Sequence, residues 1–378
     1  MKYSRITVFV CAFIVIVAVI VNTGAVEARS IFPCGKSNCL VSSPQSSPKI
    51  LGGLSSVSIL SATDIWGVGN TFTKLGYPRT LTEHWNGSMW SRVKSPNVLK
   101  GMNGDELSSV AAVSPHDVWA VGYSSAAYDQ ALIEPWNGSQ WSIVSAPDPA
   151  REVRLFGVTA ISATDIWAVG DYASQSDSGS LIEHWDGSSW SVIPNPAKGI
   201  LLSISAHTAT DIWAAGFLSG TLIEHWDGKQ WSIVSSPNPG IDNFINGITA
   251  HSSTDVWAVG YSDDGHTTTT LTEHWNGTSW SVVKSPNPAK YSDVLFGVTI
   301  VSANDVWAVG DMAANHTSDY TLIEHWNGTN WSVVKSPNIP GGLFAIAQVS
   351  ADDIWAVGDT NSSYVLIEHW DGKKWSNV

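Results

Sequence analysis

Basic residues, charge in general and sulfur are all scarce in this chain. Only 14 % of its 378 residues are charged, and 19 basic residues face 33 acidic ones, for a formal net charge of -14. There is no run of Lys and Arg, and phosphate backbones need one, so nucleic acid is excluded as a partner. Low charge beside 43 % apolar content excludes an acidic disordered tail and leaves enough apolar mass for a large core. The acidity reads as the solubility of an extracellular protein. Helical periodicity is missing outside the first residues, as are a G-x-S-x-G elbow and a Ser/His/Asp order. No motif implies a cofactor, and none is expected.

Cysteine occurs three times. Cys11 lies in an apolar N-terminal stretch, Ile6 to Val21, preceded by Lys2 and Arg5 and followed by small residues at Val26-Glu27-Ala28. That is the pattern of a signal peptide over residues 1–28, cleaved after Ala28. The stretch falls short of the roughly 18 residues of a spanning helix, with an uncleaved anchor as the alternative. Export follows either way, and the localisation expected is secreted or extracellular. Cys34 and Cys39, in the leader 29–53, would then form a disulfide in an oxidising compartment. Two thiolates without further ligands do not complete a metal site.

Tryptophan, by contrast, is abundant, with 21 copies, and every copy falls in register with an internal repeat. One phrase recurs as "ATDIWGVG", "PHDVWAVG", "ATDIWAVG" and four close variants, with its Asp at Asp64, Asp117, Asp165, Asp211, Asp255, Asp305 and Asp353. A second phrase, "E[HP]W[ND]GxxWS", follows each one. The period is about 44–53 residues, which is that of a propeller blade. Each repeat reads as four short strands, typified by "FGVTAIS", "IWAVG", "LIEHW" and "WSVV". Asn-Gly or Asp-Gly forms a two-residue turn before the last strand, and "SPNP" ends it. The expected fold is all-β: a single seven-bladed β-propeller of four antiparallel strands per blade over 54–378. Leu40-Val41-Ser42 resembles a fourth strand placed ahead of the first, and is expected to close the ring on the last blade.

These residues carry a resemblance. "S-x-x-D-[IV]-W-[AG]-[VA]-G" resembles the hairpin of sensor-type propeller repeats in bacterial two-component regulators. "W-[ND]-G-x-x-W" resembles the Trp-rich turn of propeller lectins and, more distantly, the Asp-box of sialidase-like propellers. The whole resembles secreted bacterial propellers built of DVWAVG repeats. The resemblance implies architecture rather than activity. Asp186 and Gly187 are adjacent where an Asp-box has a residue between them, so that family's chemistry does not carry over.

Glu224 beside His225 looks like an acid and a base, but the pair recurs in six blades and reads Glu134-Pro135 in the other. Successive strand residues point to opposite faces, so the two are expected to face different blades and to be structural. His207 and His251 are read as satisfied interior histidines. Arg79, Arg92, Arg151 and Arg154 are placed in loops or outer strands, too scattered for a sialidase. A unique site belongs where the repeat is broken, in the loops between second and third strands. Its candidates are Tyr77, Arg79, Tyr128, Asp129, Tyr172, Asp264, His266, His316, Tyr320 and Tyr364. The function expected is a monomeric, non-catalytic extracellular module binding a protein or carbohydrate. The alternatives are a propeller lectin with Trp-lined sites between blades and a glycan-directed hydrolase or lyase at the axial rim.

Overall fold

The computed structural model describes residues 50–98, 104–125, 127–315 and 318–378. The expected signal peptide, the Cys34–Cys39 disulfide and the Leu40–Ser42 closing strand lie outside the described residues. Within them the chain is all-β and folds as seven antiparallel sheets in chain order, spanning 52–93, 104–144, 152–192, 200–233, 242–282, 292–333 and 341–377. Blades 5 and 6 are joined by a single parallel bridge, Thr268 to Ser292. Each blade packs its apolar face on the next. Blade 7 packs on blade 1, where Trp355, Val357 and Ile367 meet Leu54, Trp85 and Trp90. The result is a seven-bladed β-propeller.

Closure is by packing and a short backbone strap. Gly52 N donates to Ser363 O, Val365 N donates to Ile50 O, and Leu51 bridges Tyr364. Blade 7 takes all four of its strands from the C-terminal repeat.

The inner strands are longer than the phrases that announced them. In blade 3 the strand is Glu152–Ser162, and it carries a bulge between Leu155 and Gly157. A bulge adds one residue and reverses the alternation, so a single period-2 pattern does not run through it. It also explains the glycine of every "AVG". The bulge swings a carbonyl over the second strand, and a Cβ on Gly170 would lie 1.8 Å from Arg154 O. Inner strands are tied to one another by serine hydroxyls. Ser56, Ser109 and Ser203 accept from the amides of Val110, Val158 and Ile248 in the following blade.

The hairpin before the outer strand differs from expectation. Trp85 pairs with Trp90, so residues 86–89 form a four-residue connection closed by Asn86 N to Met89 O. Asn86 Oδ1 accepts from the amides of Ser88 and Met89, and only Gly87 has positive φ, at 89°. The first turn residue therefore needs a side-chain acceptor, not a left-handed backbone. Asp186, Asp227 and Asp371 serve equally well.

Blade 2 departs from the rest. Its outer strand is reduced to two bridges, Ile133–Val144 and Trp136–Trp141. Pro135 is the cause. Its carbonyl accepts from Ser142 N, but it has no N–H to return the second bond of that pair.

Candidate functional site

The repeated Glu, His and Trp side chains are consumed by the joints between blades. In six blades the His Nε2–H donates to the Asp of the "[TDN]D[IV]W" phrase in its own blade, at 2.8–2.9 Å, as between His225 and Asp211. The imidazole lies 4.2–4.6 Å from the second-strand indole. That indole enters the next blade and meets its third-strand Trp at 5.0–5.3 Å and its outer-strand Trp at 5.3–5.8 Å. Seven such triplets account for all the tryptophans. Each indole pair of this geometry adds about 0.5–1.5 kcal/mol beyond area burial.

The glutamates are buried deeply: Glu134, Glu183, Glu224, Glu273, Glu324 and Glu368 are wholly inaccessible. They face the preceding blade, where Asn195 Nδ2 of blade 3 donates to Glu224 Oε1 at 3.0 Å. Burial pushes their carboxyls up, Glu224 to about 7, Glu273 to about 8 and Glu134 to about 9. Glu224 and His225 therefore work on opposite faces of one strand.

The sevenfold pattern breaks one step toward the loop rim from the bulges. There the inner and second strands present a cross-strand pair in each blade: Gly53–Asn70, Glu106–Tyr123, Arg154–Asp171, Ile200–Phe217, Phe244–Tyr261, Val294–Asp311 and Gly342–Asp359. The bulge residues beside them, with Phe156, Leu202, Phe296 and Phe344 among them, line an axial cavity of about 230 Å³. The pairs divide into three sectors.

In blades 1–3 polar groups satisfy one another. Glu106 accepts from Asn70 Nδ2 and the Tyr123 hydroxyl, and the Arg154 guanidinium grips Asp171 with two bonds of 3.0 and 2.6 Å. Arg154 is thus on an inner strand at the axis, not in the loop or outer strand expected, because the strand continues beyond its bulge. In blades 4–5 the sector is aromatic, with Phe217 4.5 Å from Phe244 and Phe244 stacked on Tyr261 at 4.7 Å. In blades 6–7 it is acidic. Burial, reinforced by Asp319, Asp293 and Asp359, pushes the Asp311 carboxyl up to about 7, and burial pushes Asp359 up to about 6.

The loop candidates lie around this mouth without converging on one point. Tyr128 is capped by the Arg151 guanidinium at 3.4 Å. Asp129 accepts from the Ser125 hydroxyl. Tyr172 shares Asp177 with Lys198. Asp264 caps its own turn by accepting from the His266 and Thr267 amides, which holds its carboxyl below the usual range, and His266 is exposed. Tyr77 closes a turn with Thr73, while Arg79 caps Pro78 O. Tyr320 bridges Pro340, and Tyr364 bridges Leu51. His316 lies outside the described residues. His207 and His251 are exposed rather than interior, at the far ends of their inner strands. No group of His, Cys, Asp and Glu that could hold a metal occurs among the described residues.

No protein-family profile matches the sequence, and no curated protein matches it. Solved structures do match the fold. YCF48 from Cyanidioschyzon merolae aligns with a TM-score of 0.56 at 15 % identity, over 84 % of this chain and 96 % of its own. The WD40 β-propeller domain of Doa1 aligns at 0.53 and 12 %, over 87 % and 96 %. A polysaccharide lyase, an ulvan lyase, aligns at 0.56 and 8 %, over 88 % and 98 %. At these identities the likeness is one of fold, and it defines the chain as a β-propeller.

Proposed function

We propose that the chain is a non-catalytic extracellular binding module that takes a protein or carbohydrate ligand on the loop rim, at the mouth of its axial channel. One observation carries this reading. Residues that repeat sevenfold are engaged in holding blades together, and residues that break the repeat form an uneven ring at the mouth. The test is a parallel screen on glycan and peptide arrays with wild type, Leu218→Ser/Ile241→Ser on the rim, and Trp226→Ala in a joint. Hits should be lost with the rim variant and kept with the joint variant. Hits that ignore the rim change, or silence on both arrays, would sink the reading.

A second reading has a specific observation behind it. Where Pro135 interrupts the outer strand of blade 2, a groove of about 450 Å³ opens against blade 3, lined by Val144 to Pro147, Ser188, Ser189 and the Trp185–Trp190 pair. An indole beside hydroxyls suits a sugar ring, and one of the fold neighbours is an ulvan lyase solved with a GlcA–Rha3S saccharide. A glycan hit lost on Trp185→Ala but kept on the rim variant would favour this groove. The lyase alternative has only fold likeness behind it, and fold alone carries no chemistry.

A further inference from the structure

Two of the mouth's three sectors adjoin and differ in kind. On blades 4–5 the apolar surface does not stop at the Phe217–Phe244–Tyr261 stack. Leu218, 44 % exposed, directly follows Phe217, and Ile241, 71 % exposed, directly precedes the inner strand that carries Phe244. Large apolar side chains grouped on a rim mark an interaction surface. On blades 6–7 the surface turns acidic. Asp311 and Asp359 face the backbone of the following blade at Gly342 and Gly53, where the other blades carry side chains such as Glu106, Arg154 or Phe244. A Cβ on Gly53 would lie 3.1 Å from Asp359 Oδ2, and one on Gly342 would lie 3.4 Å from Asp311 Oδ2 and 3.2 Å from the Phe344 ring. The two half-buried carboxylates therefore lie against bare backbone rather than against a side chain of the following blade, beside an aromatic wall.

The polar sector shows by contrast what a compensated acid looks like here. Asp171 is gripped by Arg154, and Glu106 by two neutral donors. Among the described residues no Lys or Arg forms an ion pair with Asp311 or Asp359, and the charged groups acting on Asp311 are all acidic. An opposite charge brought by a ligand is the missing partner, and a carboxylate pair in a partly desolvated mouth favours a guanidinium or ammonium.

We propose that the mouth docks a polypeptide segment that sets an apolar side chain on blades 4–5 and a cationic side chain, Arg or Lys, against Asp311 and Asp359. This rests on the loop-rim reading and names its ligand class. The probe is a set of fluorescein-labelled eight-residue peptides on a Gly-Ser background. One carries two Arg and two Phe, one replaces Arg with Glu, and one replaces Phe with Ser.

Fluorescence anisotropy should show binding of the Arg/Phe peptide that weakens at least tenfold with Asp311→Asn/Asp359→Asn and with Leu218→Ser/Ile241→Ser. It should also weaken as salt rises, and the Glu peptide should not bind. Thermal melts of the variants, unchanged from wild type, keep the comparison free of misfolding. Equal binding of all three peptides, binding indifferent to the Asp changes, or no binding of any peptide overturns the proposal. If the peptides fail while a glycan hit is lost on Leu218→Ser/Ile241→Ser, the loop-rim reading stands and the cationic segment alone is wrong.

Discussion

Seven buried glutamates are the residue-scale signature of this propeller, and they make its stability depend on pH. Their carboxyls are pushed up to about 7–9 by burial, against about 4.3 in an unfolded chain. The folded state therefore binds more protons than the unfolded state between those values. This contribution is fully present below the unfolded pKa and is lost as pH rises through 7 to 9. Urea midpoints should fall from pH 6 to pH 9. Glu224→Gln keeps the acceptor for Asn195 and removes the buried charge. It should leave the midpoint at pH 5 nearly unchanged and stabilise at pH 9 by about 1–3 kcal/mol, since a pK unit is worth about 1.4 kcal/mol. A midpoint that rises with pH would contradict the assignment. His225→Ala removes the partner of Asp211 and the ring packed on Trp213, and should cost about 1–3 kcal/mol. What the sequence showed of these residues was their recurrence, which is enough to call them structural. It did not show how deep the glutamates lie, because burial is set by the neighbouring blade.

Individual elements carry two further predictions. Restoring the repeat with Pro135→His supplies the missing N–H to the outer strand of blade 2 and an imidazole for Asp117. Amide exchange at Ser142 to Val144 should slow, with a gain of about 1 kcal/mol; unchanged exchange would mean that Pro135 is not what frays the strand. Gly187→Ala places a Cβ at φ 92° and 2.6 Å from Thr164, and should cost about 1–3 kcal/mol. Asp186→Asn keeps the capping oxygen and should be neutral by the same melting measurement. Strand identity and order were legible because the Trp, Gly and β-branched positions keep one register through seven copies. Two local features were not. The four-residue connection looks like a two-residue hairpin because Asn-Gly fits both, and the bulge hides the first residues of each inner strand. That is why Arg154, Glu106 and Phe244 escaped notice as mouth residues, although one column, the residue after the constant Gly of the second strand, varies as Asn70, Tyr123, Asp171, Phe217, Tyr261, Asp311 and Asp359.

At the scale of the whole molecule, the ring joins blade 7 to blade 1 through Trp355, Trp85 and Trp90 and a short backbone strap. The chain runs continuously through every other joint. Trp355→Ala and Trp213→Ala should each cost about 3–5 kcal/mol, but only Trp355→Ala should broaden the unfolding transition, by letting the first and last blades separate. Equal sharpness in both would show that closure is no weaker than the other joints. The division of labour between joints and mouth is tested most directly by hydrogen–deuterium exchange with and without the Arg/Phe peptide. Protection should be confined to the rim ends of the inner and second strands of blades 4–7, around Ile241–Phe244, Asp311 and Asp359. Protection centred instead on the Glu-His-Trp segments or the Asn-Gly turns would contradict the account.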